Sequence, residues 1–196
     1  MASKILIITG SSQANSQSLR IGQYIKSAGE KLDLNLDLVD LHEINLPIFL
    51  NQTANQWPQL AKQLSTAKGY IWIIPEWNGG ANPSIKNMLL YTDVTLLGHK
   101  PVLLIGISAG KGGFYPIMDT KSVGQKDPRY VIIPDCLVIN RCQEVLLTNN
   151  LDEEAEDYQL KLRINYILKI LNLYIKNLNN LRQSKIIDYK TYPFGM

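Results

Sequence analysis

Short, nearly continuous apolar runs rich in β-branched and aromatic residues punctuate the first 140 positions. They are Lys4 to Thr9 (KILIIT), Leu34 to Asp40 (LNLDLVD), Tyr70 to Pro75 (YIWIIP), Val102 to Ser108 (VLLIGIS) and Asp135 to Asn140 (DCLVIN). Runs of this length and content predict strands buried on both faces. Between them, Ser16 to Gly29, Gln56 to Lys68 and Pro83 to Leu97 have helical character. The last places Ile85, Met88, Leu89 and Tyr91 toward one side and opens with proline, where a missing N–H costs nothing. Strands alternating with helices imply parallel pairing, right-handed crossovers and helices on both faces. Five strands in so short a chain predict a small doubly wound α/β sheet rather than a barrel.

The last third changes character. A long helix is predicted from Asp152 to about Arg182, with acidic first turns (DEEAED) that complement the helix dipole. Leu160, Ile164, Ile167, Leu171, Tyr174, Leu178 and Leu181 alternate spacings of four and three, thickened by Leu168, Ile170 and Ile175. Such a stripe covers one face of a sheet, with a coiled coil as the alternative, and its length leaves room for a partner subunit. The tail from Lys185 to Met196 carries Tyr189, Tyr192 and Phe194. With no repeat, low-complexity tract or linker, residues 1–196 are expected to form one domain.

Composition narrows the function. The chain has 196 residues, 45% of them apolar, 19% charged, and a net charge of +3. That material builds a core, and the scattered basic excess argues against a nucleic-acid surface. The N-terminal apolar run is too short for a secretory signal, and no stretch approaches a membrane span, so a soluble, cytoplasmic protein is expected. Cys136 and Cys142 lack metal or redox spacing and read as buried thiols. His42 and His99 lie far apart, which predicts surface or loop roles and no metal site, and residues 152–157 read as a solvated helix start.

In an open parallel sheet, ligands bind beyond the carboxyl ends of the strands where the strand order reverses. Three strand ends carry unusual loops. Gly10 to Ser18 (GSSQANSQS) offers hydroxyls, amides and the free N–H groups of a helix start, which suit a phosphate without a lysine; an ordinary serine N-cap turn has the same look. Pro75 to Asn87 (PEWNGGANPSIKN) brings Trp77 and two adjacent glycines that let backbone approach a flat ring. Ser108 to Gly113 (SAGKGG) again exposes backbone. With strand order 2-1-3-4-5 the three loops converge on one crevice. Neither a dinucleotide fingerprint nor a P-loop is present.

PEWN followed by PSIKN resembles the P-E-Y-N…P…L-K-N segment of the NADPH-dependent FMN reductase family, which includes quinone, chromate and azo-dye reductases. KILIITGSSQANSQS is similar to that family's first strand and G-S-x-R-x-x-S-x-N phosphate loop, and LPIF (Leu46 to Phe49) and VIIP (Val131 to Pro134) also fit. The resemblance covers roughly residues 4–175. It implies a flavodoxin-like fold and hydride transfer from NAD(P)H through FMN to a small acceptor such as a quinone, by a homodimer or homotetramer. The flavin carries the chemistry, so no catalytic side chain is implied. Ser11, Gln13, Ser16, Gln17 and Ser18 would hold the phosphate. Pro75, Glu76, Trp77, Asn78 and Gly79 would line the isoalloxazine ring, and Ser108, Gly110, Gly112 and Gly113 would close its other edge. The chain departs from the family pattern at Gln13 for arginine, Ser18 for asparagine and Leu90 for aspartate, and in a glycine loop one residue shorter. A flavodoxin-like electron carrier and a non-enzymatic interaction protein are the competing expectations; an acidic shuttle fits the basic balance poorly.

Overall fold

All five apolar runs become parallel strands in the computed structural model, which describes residues 3–50, 57–123 and 125–195. The strands are β1 (Lys4–Thr9), β2 (Asn35–Asp40), β3 (Gly69–Trp77), β5 (Pro101–Ile107) and β6 (Val131–Ile139), in the order β2-β1-β3-β5-β6. A short strand β4 (Gly80–Ala81) pairs antiparallel with the end of β3. The helices are α1 (Gln17–Glu30), α2 (Leu41–Ile44), α3 (Pro58–Thr66), α4 (Pro83–Leu90), α5 (Val94–Leu97), α6 (Tyr115–Lys121) and α7 (Tyr158–Arg182). The parallel strands follow the predicted 2-1-3-4-5 order.

Alternation along each strand divides the core in two. Ile5, Ile7, Ile71, Ile73, Leu103 and Ile105 face α1 and α7, packing on Ile21, Ile25, Ile164, Leu168 and Leu171. Leu6, Ile8, Tyr70, Trp72, Ile74 and Leu104 face the other way, onto Leu64 of α3, Ile85 and Met88 of α4 and Ile117 of α6. Burial on both faces explains why these strands read as solid apolar runs.

Three boundaries differ from the sequence reading. The helix expected over Pro83–Leu97 breaks after Leu90, because Asp93 accepts hydrogen bonds from the Thr95 and Leu96 N–H groups and starts α5 afresh. The long helix starts at Tyr158, not Asp152: Asp157 is buried and spends its carboxylate on the Leu146 N–H and on buried Lys161, at 2.9 Å. The acidic run before it turns, with Asp152 accepting from the Glu154 N–H. The last strand begins at Val131 and takes in Pro134, tolerated because β6 is an edge strand whose register slips opposite Leu103. The start expected for α3, at Gln56, lies outside the described residues.

The helix stripe covers the sheet as predicted through Ile164, Ile167, Leu171 and Ile175; Leu181 is exposed. The tail packs on the loops that precede β5 and β6. Tyr189 stacks on His99, the Arg129 guanidinium donates to the Tyr192 and Phe194 carbonyls, and the Gly195 N–H donates to the Lys126 carbonyl. His99 therefore has a packing role.

Lys100 is wholly buried at the opposite end of the sheet from the strands' carboxyl ends. Its ammonium donates to the Leu64 and Ser65 carbonyls at the end of α3 and to the Tyr70 hydroxyl, at 2.7, 3.1 and 3.0 Å. Burial, reinforced by the Arg182 and Lys68 charges, lowers its pKa to about 7 from 10.5. Between those values the unfolded chain binds a proton that the folded chain releases. Stability therefore rises as pH increases above about 7, by up to about 1.4 kcal/mol per pH unit, and is lost as pH falls back toward 7. We expect Lys100→Met to remove this slope. Urea titrations of both proteins across that range check it, and equal slopes would refute the shifted ammonium.

Candidate functional site

The loops after β1, β3 and β5 meet at the carboxyl end of the sheet, each stiffened differently. In the first, Ser11 is buried and its hydroxyl accepts from the Gln13 N–H at 3.0 Å. Ser16 caps α1 by accepting from the Leu19 N–H and sits 2.8 Å from the Ser18 hydroxyl. At such a helix start the leading N–H groups, here those of Gln17 and Ser18, have no intrahelical acceptor. The N-terminus of a 14-residue helix thus faces the crevice with its positive dipole end.

The second loop is a hairpin. Trp77 pairs with Gly80, and Asn78 and Gly79 make the two-residue turn with φ of +48° and +72°. Asn-Gly is the pair such a turn favours, because both positions need positive φ. The Ala81 N–H donates to the Asp119 carboxylate of α6 at 2.8 Å, and Lys86 of α4 pairs with the same group at 2.8 Å. The Lys86 contact, then the Ala81 N–H, hold the Asp119 carboxyl below its usual range. Asn82 closes the segment by capping α4 at the Ser84 N–H.

The third loop is held from both sides. Ser108 and Gly110 carbonyls accept from the Cys142 and Arg141 N–H groups beyond β6. The Gly113 N–H donates to the Glu76 carboxylate of the second loop. A Cβ at Gly112 would stand 2.6 Å from both Glu76 carboxylate oxygens, so any side chain there would push that carboxylate aside.

These loops enclose an open cavity of about 180 Å³. Nine of the predicted site residues line it: Ser11, Gln13, Ser16, Gln17, Ser18, Pro75, Glu76, Trp77 and Ser108. Asn78, Gly79, Gly110, Gly112 and Gly113 are outside its wall; they shape the hairpin and the glycine loop instead. Ile107, Ala109, Cys142 and Gln143 also line it. The last two follow β6, whose carboxyl end adjoins β5, a proximity that the strand order implies. Cys142 is buried, as expected, and burial pushes its thiol pKa up, while Cys136 is only half-buried.

The wall offers hydroxyls, amides and backbone donors at one end, and an indole with proline and backbone at the other. That donor set suits a phosphate joined to a flat ring. Among the described residues no lysine or arginine lines the cavity, and Glu76 is its one carboxylate. A larger hollow of about 390 Å³ lies between α1 and α7, away from the point where strand order reverses. Among the described residues no cluster of histidine, cysteine, aspartate or glutamate is arranged for a metal, and no helix is long and apolar enough to cross a membrane. His42 joins its Nδ1 to the Ser12 carbonyl at 3.0 Å, a loop role.

The fold recurs among solved flavoenzymes. It is similar to an NADH:FMN oxidoreductase, EMOB, with a TM-score of 0.68, 14% identity and coverage of 88% of this chain and 89% of the other. It is similar also to the NAD(P)H:(acceptor) oxidoreductase FerB from Paracoccus denitrificans, with a TM-score of 0.67, 15% identity and coverage of 90% and 98%. In sequence, the NADPH azoreductase of Bacillus sp. (strain OY1-2) is 27% identical over 115 residues. That match spans 56% of this chain and only 62% of the azoreductase's length. The family described as NADPH-dependent FMN reductase matches residues 3–144, most of the chain and all three site loops. The chain belongs to this family of oxidoreductases, whose cofactors are FMN and NADPH.

Proposed function

We propose that the chain is an FMN-dependent NAD(P)H oxidoreductase passing hydride from NAD(P)H, through bound FMN, to a quinone, azo compound or similar small acceptor. One observation carries the reading: nine residues picked from three separate loops by the family pattern line one cavity at the switch point of the sheet. The Ser11, Ser16 and Ser18 hydroxyls, the Gln13 and Gln17 amides and the start of α1 hold the phosphate. Pro75, Glu76 and Trp77 meet the ring, with Asn78 and Gly79 setting the hairpin that presents them. Ser108 bounds its other edge, on a loop kept in place by Gly110, Gly112 and Gly113. When bound, FMN supplies the hydride chemistry; the side chains bind it, orient it and keep water away.

The proposal extends to a cytoplasmic protein working as one domain, with Cys136 and Cys142 as free thiols. We also propose a homodimer or homotetramer. Trp77, Phe114, Tyr115 and Met118 leave large apolar and aromatic surface exposed around the site, the kind of patch that subunit contacts cover. Sedimentation at micromolar concentration is expected to give at least twice the chain mass, and a monomer mass would remove that part.

The central test is spectroscopic. The purified protein mixed with FMN is expected to show flavin bands that bleach when NADPH is added without oxygen and return when a quinone follows. No binding with excess FMN would overturn the function. A second test isolates the Glu76 contact. Gly112→Ala displaces the carboxylate from the Gly113 N–H, and we expect FMN Kd to rise by about tenfold, the worth of one such hydrogen bond. In a Glu76→Ala background the same substitution should change little, measured by quenching of flavin fluorescence.

A further inference from the structure

Arg20 is a half-buried cation without an anion. Among the described residues the ion pairs are Lys4–Asp37, Lys26–Glu30, Lys86–Asp119, Arg141–Glu144, Lys161–Asp157 and Arg163–Asp135. Arg20 is in none of them. Its guanidinium instead donates to three neutral oxygens: the Leu146 carbonyl at 2.9 Å, the Cys142 carbonyl, and the Gln17 side chain at 2.8 Å.

The third contact decides an orientation. A guanidinium only donates, so the Gln17 atom facing Arg20 Nε must be the amide oxygen. The Gln17 NH2 is then the opposite end of a group that lines the cavity, and it has no protein acceptor among the described residues. Gln17 and Arg20 stand three residues apart on the first turn of α1, the spacing that lets two side chains meet on one helix face. A cation hydrogen-bonded to an amide oxygen polarises the amide and strengthens its N–H groups as donors. The cavity wall meanwhile holds no lysine or arginine of its own.

We propose that Arg20 is a positioning residue that passes its charge, through the Gln17 amide, to the anionic end of the ligand. This rests on the flavin reading, in which that end is the FMN phosphate. Arg20 also ties the Cys142–Leu146 segment to α1, so a purely structural role has to be separated from an electrostatic one.

Comparing FMN with riboflavin separates them, since the two differ only in the phosphate. Wild type is expected to bind FMN more tightly. Gln17→Met keeps the Arg20 contacts to the Leu146 and Cys142 carbonyls but removes the amide. We expect it to raise FMN Kd on the order of tenfold while riboflavin Kd stays within about twofold, because only a charge-assisted contact is lost. Arg20→Met should reproduce that selective loss, and the double variant should lose no more than either single one, the signature of two residues acting as a unit. An unchanged FMN-to-riboflavin ratio in Gln17→Met would overturn the proposal. So would equal weakening of both flavins in Arg20→Met, which would leave Arg20 as a tether alone. Wild type that binds neither flavin would instead overturn the function on which the proposal rests.

Discussion

The pairing of β1 with β3 governs everything else in this molecule. From β1 the chain leaves through α1 toward one face of the sheet; from β3 it leaves through α4 and α5 toward the other. Right-handed crossovers allow no other arrangement once the strands are parallel and buried on both faces. Two neighbouring strands whose exits diverge must leave a gap between them at their carboxyl ends. The cavity is that gap, and the third loop, after β5, supplies its far wall.

A gap bounded by loops stays open only if the loops' backbone groups have partners other than each other's side of the gap. Here the partners lie behind it. The Gly10 N–H donates to the Ile73 carbonyl, the Asn82 N–H to the Pro75 carbonyl, and the Cys142 N–H to the Ser108 carbonyl. Glu76 and Asp119 each accept from one loop N–H, binding the hairpin to the glycine loop and to α6. The first loop is fixed from β3 and the third from beyond β6, and the hairpin and the glycine loop also hold each other through Glu76. The Gln17 and Ser18 N–H groups and the Gln17 NH2 are left to meet a ligand. Preorganisation of this kind lowers the ordering cost of binding.

Much of this was legible in the sequence because burial on both faces writes itself as unbroken apolar runs, and strand ends with glycine and serine mark loops. The strands and the three loops at their ends follow from that; the nine wall residues within those loops came from the resemblance to the family pattern. Periodicity failed where a local polar group overrode it: Asp93 restarts a helix whose apolar stripe runs through the break, and Asp157 turns inward to Lys161 instead of capping in solvent. The Asn78-Gly79 turn was readable, since that dipeptide between extended segments is a hairpin signal. Arg20 was not. Its carbonyl partners lie 122 and 126 positions away, and nothing local to α1 announces them.

The two cations held by carbonyl oxygens show how position decides what such a charge does. Lys100 is sealed at the end of α3, where helix carbonyls carry negative partial charge and no ligand can reach it. Its cost is expressed as a lowered pKa and is felt only by the fold. Arg20 is held by carbonyl and amide oxygens too, and a guanidinium keeps its charge at any pH a protein tolerates. It lies one side chain behind an open cavity that has the positive end of a helix on the same side. A charge that can be neutralised neither by deprotonation nor by a neighbouring carboxylate lowers the energy of any anion that enters the cavity. The same carbonyl cradle that stores a burden at one end of the sheet thus contributes binding at the other.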